Sequence, residues 1–211
     1  MPHLHKALSL AETLNDVPAK LKQTIIKNSF YCGLLTFVVN FLFVLSKEMS
    51  AFLIFSYILP GFVYAIVLCD FQNNRLDLKR FLFIVLTGGL YIFVAWVATG
   101  FSFFGNNTKL CFPIASVIGA TLLLTLYYLF VDKSISLTRG LLLATFLGLL
   151  SSILPLLGDR LEQQINDYNI QGIVNLGFTL LIFPVWQTLF TWTIYRLKKA
   201  TANSGFCASA A

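Results

Sequence analysis

The sequence predicts an all-α, polytopic membrane protein: a bundle of six transmembrane helices with the N-terminus and C-terminus cytoplasmic. Three observations carry that prediction. Of the 211 residues, 57% are hydrophobic and only 11% charged, against about 25% charged in a soluble domain. Charged residues cut the chain into six long uncharged windows. Lysine and arginine then concentrate in every second connection between those windows. A chain this poor in charge cannot cover a water-facing surface. A soluble globular domain, a disordered chain and a nucleic-acid binder are therefore excluded, despite a formal charge of +6.

A helix that crosses the hydrocarbon core needs about 20 predominantly apolar residues at 1.5 Å rise per residue. Residues 1–28 are too polar for that and form an N-terminal cytoplasmic or interfacial segment. Within it Leu4, Leu8, Ala11, Leu14, Val17, Leu21 and Ile25 recur at three- and four-residue steps. That is a weakly amphipathic pattern, suited to lying at the headgroups or leading into the bundle. The transmembrane domain follows over 29–196. Span one covers 29–46, between Lys27 and Lys47, and reads as an uncleaved signal anchor because no small-residue cleavage site follows it. Span two covers 50–69, between Glu48 and Asp70, and span three covers 81–104 after Arg80. Span four covers 112–131, between Lys109 and Asp132, and span five 140–158, between Arg139 and Asp159. Span six covers 173–195 and ends at Arg196, leaving 197–211 as a short flexible tail. Unbroken apolar runs such as Leu122–Leu124 and Leu141–Leu143 lack the polar lumen positions of a β-barrel strand.

Orientation follows from basic residues in short loops. The N-terminal segment, the loops after spans two and four, and the C-terminal tail hold 12 Lys and Arg, and the other three loops hold 3. The 12 belong inside, in what reads as the plasma membrane. The longest outer connection is 159–171, and Asn106-Asn107-Thr108 forms a glycosylation sequon on the same side. That loop is so short that a plain turn is the favoured reading of Asn106.

Chemistry within a membrane calls for ionisable groups at depth, where they are costly enough to be functional. All nine acidic residues fall in tails, loops or span ends, and the histidines are only His3 and His5. Aspartyl, serine and zinc intramembrane proteases, carboxylate-coupled transporters and voltage sensors are disfavoured accordingly. No catalytic residue, metal ligand or cofactor is expected. Cys32 and Cys69 fall near inner span ends, Cys111 at the outer face and Cys207 in the inner tail, so no outer disulfide can form within the chain.

Three features rise above that background. Gly140, Ala144, Gly148 and Ser152 make a small-residue stripe along span five, and Ala115/Gly119 and Ser116/Ala120 repeat the spacing in span four. Such stripes let helices approach closely, inside the bundle by preference or else against a membrane-protein partner or a second copy. Pro60-Gly61 and Pro184 sit near the middles of spans two and six and are candidate helix breaks. Asn40, Asn175 and Gln187 head a sparse set of intramembrane polar residues that also includes Thr87 and Tyr91. Helix-to-helix hydrogen bonds account for them as well as a substrate site does.

Two functional readings follow. The first is a non-catalytic membrane module: a subunit, scaffold or lipid-interacting protein with the bilayer as its constant partner. The second is a small channel or transporter for an uncharged or hydrophobic solute, motivated by Pro60-Gly61, Pro184, Asn40 and Gln187. A polar cavity at mid-depth touching spans two and six would favour the second, and a dry, filled interior would sink it.

Overall fold

The computed structural model describes residues 23–42, 58–69, 77–103, 108–165 and 168–208. The described residues are helical with short turns and contain no strand. Eight helices follow in chain order: α1 (Gln23–Leu42), α2 (Leu59–Leu68), α3 (Leu78–Phe103), α4 (Thr108–Phe130), α5 (Leu137–Ser151), α6 (Ile153–Glu162), α7 (Tyr168–Leu180) and α8 (Ile182–Ala208).

Counted as continuous spans, five stretches are long and apolar enough to cross a membrane: α1, α3, α4, α5 with α6, and α7 with α8. The sixth expected span is represented by α2 alone, which is 10 residues long. The remainder of that window, and residues 1–22 of the N-terminal segment, lie outside the described residues. Between 24 and 39% of each apolar window is buried within the protein, so most of its hydrophobic surface faces outward. On α5, Leu142, Phe146 and Leu149 are exposed while Gly140, Ala144, Leu147 and Gly148 are buried. In water so much exposed apolar surface would be an aggregation liability. In hydrocarbon it is solvated, and this is a multi-pass membrane architecture.

Proline places the two span breaks. Pro155 and Pro184 are each the third residue of a helix, α6 and α8, that follows a single turn residue, Ser152 and Leu181. A proline lacks an N–H, and its ring collides with the carbonyl four residues back. Those carbonyls belong to Ser151 and Leu180, the last residues of α5 and α7. Each helix therefore ends where the proline forbids its continuation. Ser151 Oγ donates to Gly148 O at 2.9 Å and Ser152 Oγ to Leu149 O at 2.7 Å, which covers carbonyls beside the first break. Pro60 is the second residue of α2, and Ile58 ahead of it is also in a helical conformation.

The polar stretch 159–171, expected as an outer connection that could hold one short helix, is largely helical. α6 runs through Glu162 and α7 starts at Tyr168, forming a helical hairpin. Asn175 Nδ2 donates to Glu162 Oε2 across it, and Gln171 Nε2 donates to Ile165 O. Glu162 and Gln171 of the polar stretch and Asn175 of span six thus close the hairpin. At the chain's end, α8 continues through Ala208, where a flexible tail from 197 is expected.

The helices pack as neighbours α2 on α3, α3 on α4, α4 on α5 and α5 on α8, with α6 on α7. The stripe on span five is consumed by that packing. A Cβ added at Gly148 would stand 2.6 Å from Val117 Cα, and one at Gly140 would meet Leu124 Cδ2 at 2.6 Å. The backbones of α4 and α5 touch there, so Gly140, Ala144, Gly148 and Ser152 face the bundle interior.

One end of the bundle gathers charge. Asp77 Oδ1 accepts from Arg80 N at 2.9 Å, an N-cap at the start of α3. Lys198 Nζ pairs with Asp132 Oδ2 at 3.0 Å and lies 5.5 Å from the Tyr127 ring centroid. Ile25 of α1, Leu68 of α2, Tyr127 of α4 and Lys198 of α8 line one small hollow at this end. These described ends of α1, α2, α4 and α8 are therefore brought to one side.

Candidate functional site

Small side chains on α3 and α4 leave a hollow between those helices. Ala95 and Ala98 on α3 face Ala115, Ser116 and Gly119 on α4. Spacings of three and four residues keep each set on one helix face. The Ala115/Gly119 pair of the span-four motif therefore helps to form a cavity wall, while Ala120 of the other pair is buried in the core. Gly119 still allows a close approach, since a Cβ there would lie 3.1 Å from Val94 Cγ2.

The resulting cavity holds about 240 Å³. It exceeds the roughly 150 Å³ hollow that suffices to bind benzene in an apolar core. Trp186, Phe183 and Ile182 of α8 and Leu180 and Thr179 of α7 close the opposite side, so the helix break at Leu181 lies in the wall. Asn40 reaches in from α1. Among the described residues, no Asp, Glu, Lys, Arg or His lines the cavity.

A polar and aromatic cluster supports one edge. Gln187 Nε2 donates to Tyr91 Oη at 3.1 Å, fixing the tyrosine that lines the cavity. Tyr64 Oη of α2 lies 2.8 Å from Gln187 O and 3.0 Å from Thr191 Oγ1. Thr191 Oγ1 lies 2.8 Å from Gln187 O, to which it can donate, and 2.8 Å from the Ser29 hydroxyl. Trp186 stacks on Phe190 at 5.2 Å and meets Tyr91 edge-on at 6.2 Å. Behind Tyr91, a Cβ at Gly61 would lie 3.0 Å from Tyr91 Cγ and 3.0 Å from Gly88 Cα. Gly61 thus lets α2 press on α3. Gly33 performs the equivalent task for α1, where a Cβ would stand 2.7 Å from Pro184 N.

Of the three polar residues singled out in sequence, two converge here. Asn40 lines the cavity, Gln187 holds its edge, and both are completely buried. Asn175 belongs to the α6–α7 hairpin and touches the site only through Thr179 Oγ1, 3.4 Å from its Oδ1. Asn40 Nδ2 donates to Thr36 O at 2.8 Å, but Asn40 Oδ1, Gln187 Oε1 and Thr87 Oγ1 have no hydrogen-bond partner. Sequence reasoning missed Tyr64, Ser29, Thr191 and Trp186. Each is a common residue at a span end or among other aromatics, and only its neighbours distinguish it.

Among the described residues no cluster of three or more His, Cys, Asp or Glu side chains could hold a metal ion. Cys32, Cys69 and Cys111 are buried and form no disulfide. No protein-family model, curated protein or solved structure matches the chain.

Proposed function

We propose that this is a non-catalytic, lipid-interacting membrane protein that binds an uncharged, largely apolar molecule in the cavity between α1, α3, α4 and α8. The observation that carries the reading is the cavity itself: about 240 Å³ of space whose wall is apolar except for a few uncharged polar groups. Ligand sites are mostly apolar concavities with a few placed polar groups, and this one has that character at the small end of the size range. Among the described lining residues an ionic substrate would find no counter-charge, and they offer no acid, base or metal ligand for catalysis. The protein sits with both termini cytoplasmic in the plasma membrane, a reading supported by the 12-to-3 division of Lys and Arg.

Transport of an uncharged solute is the second reading. The helix break at Leu181 and Pro184 adjoins the cavity wall, and broken helices are where transporters build midplane sites.

Photolabelling tests the binding reading. A neutral long-chain diazirine probe, incorporated into liposomes with the purified protein, should cross-link Val94 and Phe183, and Ala98→Phe should suppress that labelling. Labelling confined to the outward-facing Leu142 and Phe146 would overturn it. Solvent-filled liposomes carrying the protein, assayed for uptake of small uncharged solutes, separate binding from transport.

A further inference from the structure

Access to the cavity can be specified further, and the specification rests on the binding reading above. The two broken spans run antiparallel in one register. A Cβ at Gly140 of α5 would lie 3.2 Å from Leu197 Cδ1 of α8, and one at Gly158 of α6 would lie 2.8 Å from Phe178 Cβ of α7. Further along, Glu162 meets Asn175 and Ile165 meets Gln171. That register sets Ser152 opposite Pro184 and Pro155 opposite Leu181, so the two breaks lie side by side at the base of the hairpin. Each break lacks the hydrogen bond that a proline cannot donate. The next bonds are long, 3.4 Å from Leu156 N to Ser152 O and 3.4 Å from Val185 N to Leu181 O, against 3.0 Å from Leu181 N to Gly177 O.

The parts on either side of the breaks are held differently. α5 lies against α4 at Gly148, and α8 against α1 at Gly33. Among the described helices from α2 to α8, α6 and α7 pack extensively only on each other. Thr179 and Leu180 at the end of α7 nevertheless line the cavity, on the side opposite Ala98 and Ser116.

We propose that the α6–α7 hairpin is the gate of the cavity, turning as one body about the paired breaks at Ser152 and Leu181 to admit and release an apolar molecule from the surrounding hydrocarbon. Breaks at one level form a single hinge line, whereas breaks at different levels would make any turn bend the hairpin. The Glu162–Asn175 and Ile165–Gln171 contacts hold the two legs together as they move. Leu157 on α6 and Ile173 on α7 are exposed, so an outward swing of that face meets lipid. α6 has 10 residues, about 15 Å of helix, and a turn of about 20° carries its tip about 5 Å.

Spin–spin distances in liposomes test the gate. One nitroxide pair joins the hairpin tip to α4, at the exposed positions Gln163→Cys and Ile114→Cys, and a second pair at Gln163→Cys and Ile173→Cys measures the hairpin's own width. Both carry Cys207→Ser. The tip-to-α4 distance should spread over about 5 Å more than the hairpin's width, and adding the neutral diazirine probe before photolysis should collapse it to one value. Pro155→Ala combined with Pro184→Ala should give one value without the probe. Photolabelling of Val94 in the same samples reports binding separately. A tip distance as narrow as the hairpin's width, with and without probe, overturns the gate, and Val94 labelling then leaves binding standing. A spread tip distance with no labelling of Val94 or Phe183 overturns binding and upholds the hinge, and a narrow one with no labelling overturns both. The deciding comparison keeps both prolines, so misfolding of the hinge variant would not remove the test.

Discussion

Gly33 on α1 faces Pro184 in the first turn of α8 so closely that a Cβ at position 33 would lie 2.7 Å from the proline nitrogen and 2.9 Å from Phe183 C. The contact is backbone against backbone and cannot be relieved by rotating a side chain. It joins the first span to the wall of the cavity.

Gly33→Leu should therefore destabilise the protein by about 1–3 kcal/mol, the usual cost of overpacking. Gly148→Leu should act similarly against Val117. Gly172→Ala is the control: no atom lies within 4 Å of the added Cβ, and alanine is the better helix former. Thermal denaturation in mild detergent measures all three, and a Gly33→Leu protein as stable as Gly172→Ala would contradict the packing account.

Tyr64→Phe removes a buried hydroxyl that binds Gln187 O and Thr191 Oγ1. Gln187 O keeps the Thr191 hydroxyl as a donor, so no acceptor is orphaned. The expected loss is about 0.6 kcal/mol and not above about 1.7, the range for hydrogen bonds between membrane helices. Unfolding by added denaturing detergent supplies the measurement.

Pro184→Ala restores an N–H that can reach Leu180 O, and it should extend α7 into α8 across the turn at Leu181. Leu180, Ile182, Phe183 and Trp186 would then shift in the cavity wall. Reduced photolabelling at Val94, with global stability maintained or raised, is the expected outcome. Unchanged labelling would separate the break from the site.

Asp132 supplies a pH dependence. Partial burial raises its carboxyl pKa, but the Ser134 hydroxyl and amide and the Lys198 ammonium together outweigh burial and hold it below the ordinary range. A depressed carboxyl stabilises the fold above its unfolded-state pKa of about 3.9 and loses that contribution as pH falls through the lower folded value. The half-exposed pair is worth about 0–1 kcal/mol. Asp132→Asn should lower the melting temperature slightly at pH 7, and the difference from wild type should vanish in strong acid.

Topology needs reporters other than native Cys111, which is 5% exposed and closed to a maleimide. Gln163→Cys and Lys133→Cys place exposed thiols at opposite ends of the bundle. With Cys207 replaced by Ser, an impermeant maleimide on intact cells should label Gln163→Cys and spare Lys133→Cys. The reverse pattern would invert the proposed orientation.

Much of this architecture was legible from residue order. Hydrophobic windows mark membrane spans because a helix in hydrocarbon satisfies its own backbone whatever its neighbours are. Pro184 marks a break for an equally local reason, a missing donor and a clash one turn back. The depth of Asn40 and Gln187 could be counted from the same windows. Partnership could not. Whether the stripe on span five served the bundle or an outside partner depended on what lay opposite, and the structure puts α4 there. Whether residues 159–171 formed a loop depended on Glu162 finding Asn175. The cavity arises because Ala95 and Ala98 happen to face Ala115, Ser116 and Gly119, with Trp186 propped at its edge by Tyr64, Gln187 and Tyr91. Sequence alone determined which segments enter the membrane, since that is a balance between each segment and its solvent. Only tertiary structure decided where the interior stays unfilled, because packing is set by pairs of helices whose register no single segment encodes.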